Sequence, residues 1–290
     1  MTIYELSIIS TSGFPYYNKI IKPIPKGVKV HLRFFDFSDF DLKDFGTNEF
    51  DLGMKFDLKA GLISALFEFA RNINKKIELL EFKSKSEITV KSQCSDMIKG
   101  DVLITTTTEP YILHNQVQKK IRLIYQNFIS PKIPLDSSYQ MLHHEETNLI
   151  NLLTDKAAKE HFFENEKEIS KIAKKFINEM GSYGLKAIIC TSFDLSPIKS
   201  FSKNDEYSIE DINNILRNIG NIPDIDPMNW KYRQSLLRDK TLWVFIINSG
   251  IGVTIENLFE PYYYLLLAEP NSYLGEFPGK LANEFNRILR

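Results

Sequence analysis

The sequence predicts an α+β protein of two domains, each a five-stranded antiparallel sheet with helices packed on it. Three observations lead to this prediction: the chain length, an internal repeat, and the same order of elements in both copies of the repeat. With 290 residues the chain is long enough for two domains that each bury their own core. Hydrophobic residues make up 43% and charged residues 25%, as is usual for globular proteins.

The repeat begins with two similar apolar runs, each closed by a turn. Residues 8–12 read IISTS and lead to Pro15, while residues 188–192 read IICTS and lead to Pro197. An apolar strand followed by small, polar and proline residues is typical of a β-hairpin. The second strands of the two hairpins are predicted over residues 28–37 and 198–201.

An amphipathic helix follows each hairpin, over residues 58–74 in the first copy and 208–220 in the second. Apolar residues recur at helical spacing in both segments. In the second helix Ser208 is the predicted N-cap, and Asp211 stands three residues later in a capping-box position.

Three more strands and a closing helix complete each copy. The predicted strands are 76–82, 87–93 and 101–107 in the first copy and 242–248, 251–258 and 262–269 in the second; the closing helices are 112–129 and 278–289. In the second copy the turns between strands are placed at Ser249-Gly250 and Glu260-Pro261. The order strand, strand, helix, three strands, helix predicts an antiparallel sheet in each copy.

The segment between the copies sets the domain boundary. Two prolines within residues 130–134 end the first closing helix, and a long helical pattern runs from about residue 138 to residue 180. Its last part, 166–180, has apolar residues at helical spacing and leads the second copy. The predicted domains are therefore residues 1–155 and residues 156–290.

With its leading helix, the C-terminal half resembles the roadblock family. The resemblance lies in residues 185–192 and 262–268, followed by Tyr273-Leu274-Gly275 and the final helix. The N-terminal half lacks a leading helix and has trailing ones, and it is similar to a longin domain. The two resemblances together span nearly the whole chain, and they rest on patterns of apolar strands and turns.

The resemblance implies a non-catalytic protein-binding module that regulates or scaffolds a small Ras-like GTPase in membrane traffic or polarity. It also implies a homodimer, or pairing with another roadblock or longin protein. Because a fold does not fix a function, two alternatives stay open: a nucleotide-independent structural adaptor subunit of a trafficking complex, and a small-ligand sensor or enzyme. Unranked candidates for an arginine finger are Arg33, Arg71 and Arg233.

Aromatic residues are the candidate partner-binding positions. Residues 34–45 mix Phe with Asp, which fits either an edge strand that turns alternate rings into the core or an acidic loop that docks a partner. A run of three tyrosines faces the same choice, since one or two of its rings are expected to point away from the core. The partner-binding candidates are Phe37, Phe40, Phe45, Tyr262, Tyr263 and Tyr264.

The sequence patterns favour neither catalysis nor a cofactor nor a metal site. The GxxxxGK[ST] motif is absent, and the adjacent residues of 143–146, HHEE, diverge by about 100° on a helix and cannot share one metal. Cys190 at a strand end is predicted to pack in the core. The formal net charge of -1 argues against nucleic acid as a partner.

The chain is expected to be cytoplasmic, with peripheral membrane association through partners left open. Its N-terminal segment has no basic region before a short apolar run. The longest apolar stretches fall far short of the roughly 20 residues that span a bilayer, so no transmembrane segment is predicted.

Overall fold

The computed structural model describes residues 2–37, 100–136, 139–220 and 222–290, together with the helical residues 61, 64–66 and 68–72. The chain divides into two compact units, one of residues 1–38 and 98–290 and the other of residues 39–97. The first unit contains two antiparallel sheets and their helices, which confirms the α+β class. Both sheets lie in this unit, and the division of the chain at residue 155 stays a prediction.

The first sheet has four strands in the described part of the chain, where five were expected. They are β1 (Ile3–Ile9), β2 (Pro15–Ile20), β3 (His31–Asp36) and β4 (Leu103–Thr108), in the order β2-β1-β4-β3. Strands β3 and β4 correspond to the predicted strands 28–37 and 101–107, but β3 pairs with β4 and the hairpin partner of β1 is β2, so the predicted first hairpin was wrong. The sequence analysis did not predict β2, an edge strand in which no residue is buried. The predicted strands 76–82 and 87–93 lie outside the described residues.

Four helices connect the two sheets. They are α1 (His114–Ile124), which continues as a π-helix (Tyr125–Ile129), then α2 (His143–Leu153), α3 (Lys156–Glu164) and α4 (Glu166–Met180). A short 3-10 turn (Ser130–Lys132) with a proline inside it ends the first of them, as the sequence predicts. Helix α4 has the predicted limits, since its apolar stripe and the glycine that follows it are both local features.

The second sheet has five strands, which is the predicted number, in the order β6-β5-β9-β8-β7. Its elements are β5 (Leu185–Thr191), β6 (Pro197–Ser202), α5 (Ile209–Ile219), β7 (Trp230–Leu237), β8 (Lys240–Ile255), β9 (Leu258–Ala268) and α6 (Phe277–Asn286). Ser208 caps α5 by accepting a hydrogen bond from the Asp211 N–H, and the Asp211 carboxylate accepts a hydrogen bond from the Ser208 N–H. This confirms the predicted capping box.

Two strand assignments in this sheet were wrong. The predicted strands 242–248 and 251–258 are one strand, β8, which passes through Ser249-Gly250 with an irregular register instead of turning there. The hairpin turn lies at Glu256-Asn257, where both residues have positive φ, and not at the predicted Glu260-Pro261, which lies inside β9. Strand β7 was missed because residues 231–234 are all exposed and give no alternation of apolar and polar positions.

The turns after β1 and β5 show the correct alignment of the repeat. The Ser10 N–H donates to the Phe14 carbonyl over 2.8 Å, and the Ser192 N–H donates to the Ser196 carbonyl over 2.9 Å. In both turns the fourth residue is left-handed, with φ values of 90° and 65°. Ser10 is therefore equivalent to Ser192. The alignment of residues 8–12 with residues 188–192 that the sequence suggested is shifted by two residues from the structural alignment.

The ends of the last strands match in the same way. The Glu109 N–H donates to the Thr2 carbonyl over 2.8 Å, and the Glu269 N–H donates to the Gly184 carbonyl over 2.9 Å. A proline follows each glutamate. Glu109 and Glu269 are thus equivalent positions in the two halves of the molecule, which we call the first repeat (β1, β2, β4 and α1) and the second repeat (β5 to β9, α5 and α6).

Both faces of the second sheet are covered by helices. One hydrophobic cluster lies between the sheet and helices α3, α4 and α6, and the other lies between the sheet and α5. The helices in the described residues are all too short or too polar to cross a membrane. The second sheet is therefore a middle layer, and its side chains have little access to solvent except at the sheet edges.

The irregular register of β8 generates a prediction about glycine. A Cβ on Gly252 would lie 1.9 Å from the Glu260 carbonyl oxygen, whereas a Cβ on Gly181 would meet nothing within 4 Å. Gly252→Ala is expected to lower the free energy of unfolding by about 3 kcal/mol, because main-chain atoms must move apart. Gly181→Ala, the matched control, should change it by less than about 1 kcal/mol. Urea unfolding of both variants measures the difference, and equal values would contradict the observed packing.

Candidate functional site

A group of four ionisable side chains and one serine is buried where the two repeats meet. Its members come from α1, from the junction of α2 and α3, from the turn after β5 and from β9, and each is at most 1% exposed. We call this group the buried ionic cluster; it consists of Lys120, Asp155, Ser192, Asp194 and Glu260. Charged groups in protein interiors need partners, so the arrangement of these residues is informative.

Lys120 supplies the positive charge of the cluster. It lies on the buried side of α1, pairs with the carboxylate of Asp155, and has its Nζ 3.4 Å from Oδ2 of Asp194. The Phe193 ring lies 5.2 Å from the ammonium. Burial by itself lowers the pKa of Lys120, but the two carboxylates outweigh burial and raise it. Lys120 therefore stays protonated and is not a nucleophile.

Asp194 lies in the turn between β5 and β6 and accepts hydrogen bonds from this turn and from Thr2. Its Oδ1 accepts a hydrogen bond from the Ser196 N–H over 2.9 Å, and its Oδ2 accepts one from the Thr2 hydroxyl over 2.5 Å. The Ser192 hydroxyl lies 2.7 Å from Asp155 and 2.8 Å from Asp194, so it bridges the two carboxyl groups. The turn of the second repeat is thus tied to the start of the first.

The three carboxyl groups of the cluster differ in pKa. Burial works against the charge of Asp194, but Lys120 and the bond from Thr2 hold its pKa below the usual range. Burial and the neighbouring Asp194 raise the pKa of Asp155 to about 6. Burial, together with the two aspartates, raises the pKa of Glu260 to about 8. Neither carboxyl oxygen of Glu260 has a hydrogen-bond partner among the described residues, and Glu260 is mostly neutral at pH 7.

A second ion pair joins the repeats beside this cluster. Arg217 on α5 donates to Glu109 through Nε over 2.9 Å and through Nη2 over 2.6 Å, and the Tyr4 hydroxyl donates to the same carboxylate. One helical turn earlier, Asn213 accepts a hydrogen bond from the Tyr111 hydroxyl over 3.2 Å. Two-point binding of a guanidinium fixes both distance and orientation, so α5 has one position on the first repeat.

The geometry indicates a structural role for these groups. The Lys120 ammonium keeps its proton, and burial raises the pKa of the Cys190 thiol, so neither group offers the free electron pair of a nucleophile. Removing one member of a buried ion pair is costly, whereas the intact pair fixes the register of the parts that carry it. The buried polar groups therefore join the two repeats in one arrangement.

The run of three tyrosines is buried, which corrects the expectation that one or two rings face solvent. Tyr262 and Tyr264 belong to the core under α3, α4 and α6, and Tyr263 belongs to the core under α5. Their exposed fractions are 0%, 0% and 2%. The expectation was wrong because helices cover both faces of the sheet, and none of these rings is available to a partner in this structure.

The Phe/Asp segment behaves as an edge strand as far as it is described. Along β3 the Phe35 ring is buried while the Phe34 ring is exposed, which is the alternation expected of a strand. Phe37 is half-buried, and its ring stacks on Tyr125 with centroids 4.0 Å apart. Phe40 and Phe45 lie outside the described residues, and their role as partner anchors stays a prediction.

The glutamates of the histidine and glutamate run at the start of α2 bind the N-terminus of the helix and side chains of β2. The Leu142 N–H donates to Glu145 over 2.9 Å, and Glu146 accepts a hydrogen bond from Tyr17 over 2.9 Å and pairs with Lys19 over 3.0 Å. Across the described ranges, no group of three or more His, Cys, Asp or Glu residues could hold a metal ion.

The residues of the site were not singled out from the sequence, although two signals were present. Lys120 lies in the apolar stripe of α1, between Val117 and Ile121, where a charge is unexpected. A Glu-Pro pair follows the last strand of each repeat, at Glu109 and at Glu269. The first signal marks a charged residue that needs a partner from elsewhere in the fold.

Comparison with known proteins identifies no relative. No family model matches the chain, and searches of the curated proteins and of the solved structures return no match.

Removal of the Lys120 charge should destabilise the fold. Lys120→Met leaves two buried carboxylates without their cation, and we expect a loss of about 3 to 5 kcal/mol in the free energy of unfolding. Lys156→Met is the matched control, because Lys156 is half-exposed and its ion pair with Glu160 lies at the surface; its loss should stay below about 1 kcal/mol. Equal losses in urea unfolding would show that the buried ion pair is not needed for stability.

The raised carboxyl pKa values predict that stability falls with pH. Between its ordinary pKa of 4.5 and about 8, Glu260 keeps a proton when folded that it has lost when unfolded, so the folded state loses its advantage as pH rises. Asp155 acts in the same direction up to about pH 6. The contributions of Asp194, with a lowered pKa, and Lys120, with a raised one, are constant between pH 5 and 8.

Glu260→Gln should therefore flatten the pH profile of unfolding. We expect the unmodified protein to lose roughly 4 to 5 kcal/mol in the free energy of unfolding from pH 5 to pH 8, and the variant to lose only the part that comes from Asp155, roughly 1 to 2 kcal/mol. Urea unfolding at several pH values measures both slopes. A variant profile as steep as that of the unmodified protein would show that Glu260 ionises normally in the folded state.

Proposed function

We propose that this chain is a non-catalytic protein-binding module that regulates or scaffolds a small Ras-like GTPase in membrane traffic or polarity. The supporting observation is the element order of residues 166–290, which is helix, two strands, helix, three strands and helix. The resemblance to the roadblock family rests on this order.

The partner-binding surface that we propose is the exposed edge of β7. This strand pairs with β8 on one side and with none of the described strands on the other. Tyr232 and Leu236 are 55% and 53% exposed, and the Tyr232 ring stacks on Trp243 with centroids 5.3 Å apart. A sheet edge with a supported, exposed aromatic ring and a neighbouring arginine, Arg233, fits the composition of protein-binding surfaces.

The three arginines that could act on a bound nucleotide have different surroundings. Arg33 donates to the Thr108 hydroxyl and the Ile112 carbonyl, which occupy its guanidinium within the fold. Arg71 pairs with a glutamate on its own helix. Arg233 is exposed, and its guanidinium donates to the carbonyl of the preceding residue. Arg233 is therefore the arginine of the three that is best placed to reach a partner.

The test is binding of the purified chain to the small GTPases of its own genome, each loaded with GDP or with a non-hydrolysable GTP analogue. We expect at least one GTPase to bind with affinities that differ about tenfold between nucleotide states, which corresponds to about 1.4 kcal/mol. Biolayer interferometry measures both affinities. Binding without nucleotide dependence would favour a structural adaptor, and no binding in either state would overturn the proposal.

Tyr232 should contribute to this complex more than other exposed aromatic residues. Tyr232→Ala is expected to weaken GTPase binding about tenfold, because truncation removes an anchor from the centre of the proposed surface. Phe259→Ala is the control, since Phe259 is similarly exposed (46%) but lies on β9, away from the β7 edge. Similar affinities of the two variants would exclude the β7 edge as the binding surface.

A further inference from the structure

The two repeats carry equivalent surfaces beside their last strands. Tyr4 and Lys186 lie at the same point, two residues after the equivalent Thr2 and Gly184, where the register of the neighbouring strands shifts. The Tyr4 hydroxyl donates to Glu109, and the Lys186 ammonium lies 2.5 Å from the equivalent Glu269. The same main-chain frame thus presents a carboxylate and a hydrogen-bond donor in both repeats.

A tyrosine follows the Glu-Pro pair in each repeat. Tyr111 comes two residues after Glu109 and Tyr273 comes four residues after Glu269, so the second loop is longer by two residues. Each tyrosine precedes a buried aliphatic residue, Ile112 or Leu274. Tyr111 and Tyr273 are therefore counterparts, although the loops differ in length.

In the first repeat this surface is filled by a helix. Arg217 and Asn213 of α5, which are one helical turn apart, bind Glu109 and Tyr111 respectively. As a result Glu109 is 0% and Tyr111 2% exposed. The surface of the first repeat is thus a docking site for a helix that presents an amide and, four residues later, an arginine.

In the second repeat the equivalent surface is open. The side chain of Glu269 is 53% exposed, and Tyr273 is 80% exposed. Tyr183, which directly precedes Gly184, is 56% exposed. Glu269, which has unused acceptor positions, and Tyr273 are the counterparts of Glu109 and Tyr111, the two residues that Arg217 and Asn213 bind in the first repeat.

We propose that Tyr183, Lys186, Glu269 and Tyr273 form a docking surface, here called the Glu269 surface, for a helix of a partner protein. The helix presents an arginine to Glu269 and a polar side chain, four residues earlier, to Tyr273. A second copy of this chain does not supply it, because Arg217 is 13% exposed and engaged with Glu109. This inference stands apart from the proposed GTPase binding, which uses the β7 edge.

The test uses a helical probe that carries the known contact residues. A fluorescent peptide of residues 208–220, held helical by a lactam bridge on its outward face, is titrated with the full-length protein and followed by anisotropy. We expect saturable binding that weakens at least tenfold when the peptide carries Arg217→Glu or the protein carries Glu269→Arg. The reversed pair, Glu269→Arg protein with the Arg217→Glu peptide, should regain most of the affinity, since the charges again complement each other.

Tyr273→Ala provides a second variant, because a residue that is 80% exposed can be truncated without loss of the fold. It should weaken binding of the unmodified peptide, and circular dichroism confirms that each variant is folded. No saturable binding, or binding that neither Glu269→Arg nor Tyr273→Ala affects, would overturn the proposal. The latter result would include binding of the peptide at Glu109 in place of α5.

Discussion

The ammonium group of Lys120 lies where four chain segments meet, and its burial determines how these segments are arranged. A charge that is 0% exposed carries a desolvation cost of several kcal/mol unless carboxylates surround it. Asp155 and Asp194 must therefore reach the same point, one from the α2–α3 junction and the other from the turn after β5. Apolar surfaces tolerate some sliding, but these ion pairs do not, so the cluster fixes the register of the two repeats.

The parts of the fold that depend on neighbouring residues could be predicted from the sequence. Helix α4 was predicted with its observed limits, and α5 with its Ser208 cap, because apolar spacing and capping act within a few residues. Strand β7 was missed, and Gly250 was assigned to a turn, because a polar edge strand and a strand with an irregular register depend on pairing with distant strands. The burial of Tyr262 to Tyr264 depends on which helices cover the sheet, which no local pattern states.

The candidate site could not be predicted because its partners are far apart in the chain. Lys120 lies 35 residues from Asp155 and 74 from Asp194, and Glu109 lies 108 residues from Arg217. A sequence shows that a charge stands in an apolar stripe, but it does not show which carboxylate will meet it. The equivalence of Glu109 and Glu269 became visible once the hydrogen bonds of the two repeats were aligned.

The pairing of Arg217 with Glu109 has a consequence for assembly. Head-to-tail contacts between identical units either close into a ring or continue as a filament. In this chain Arg217 of α5 in the second repeat already binds Glu109 of the first repeat. Because both repeats belong to one chain, their effective concentration is high. This contact therefore forms once within each molecule, between its two repeats, and cannot add further molecules.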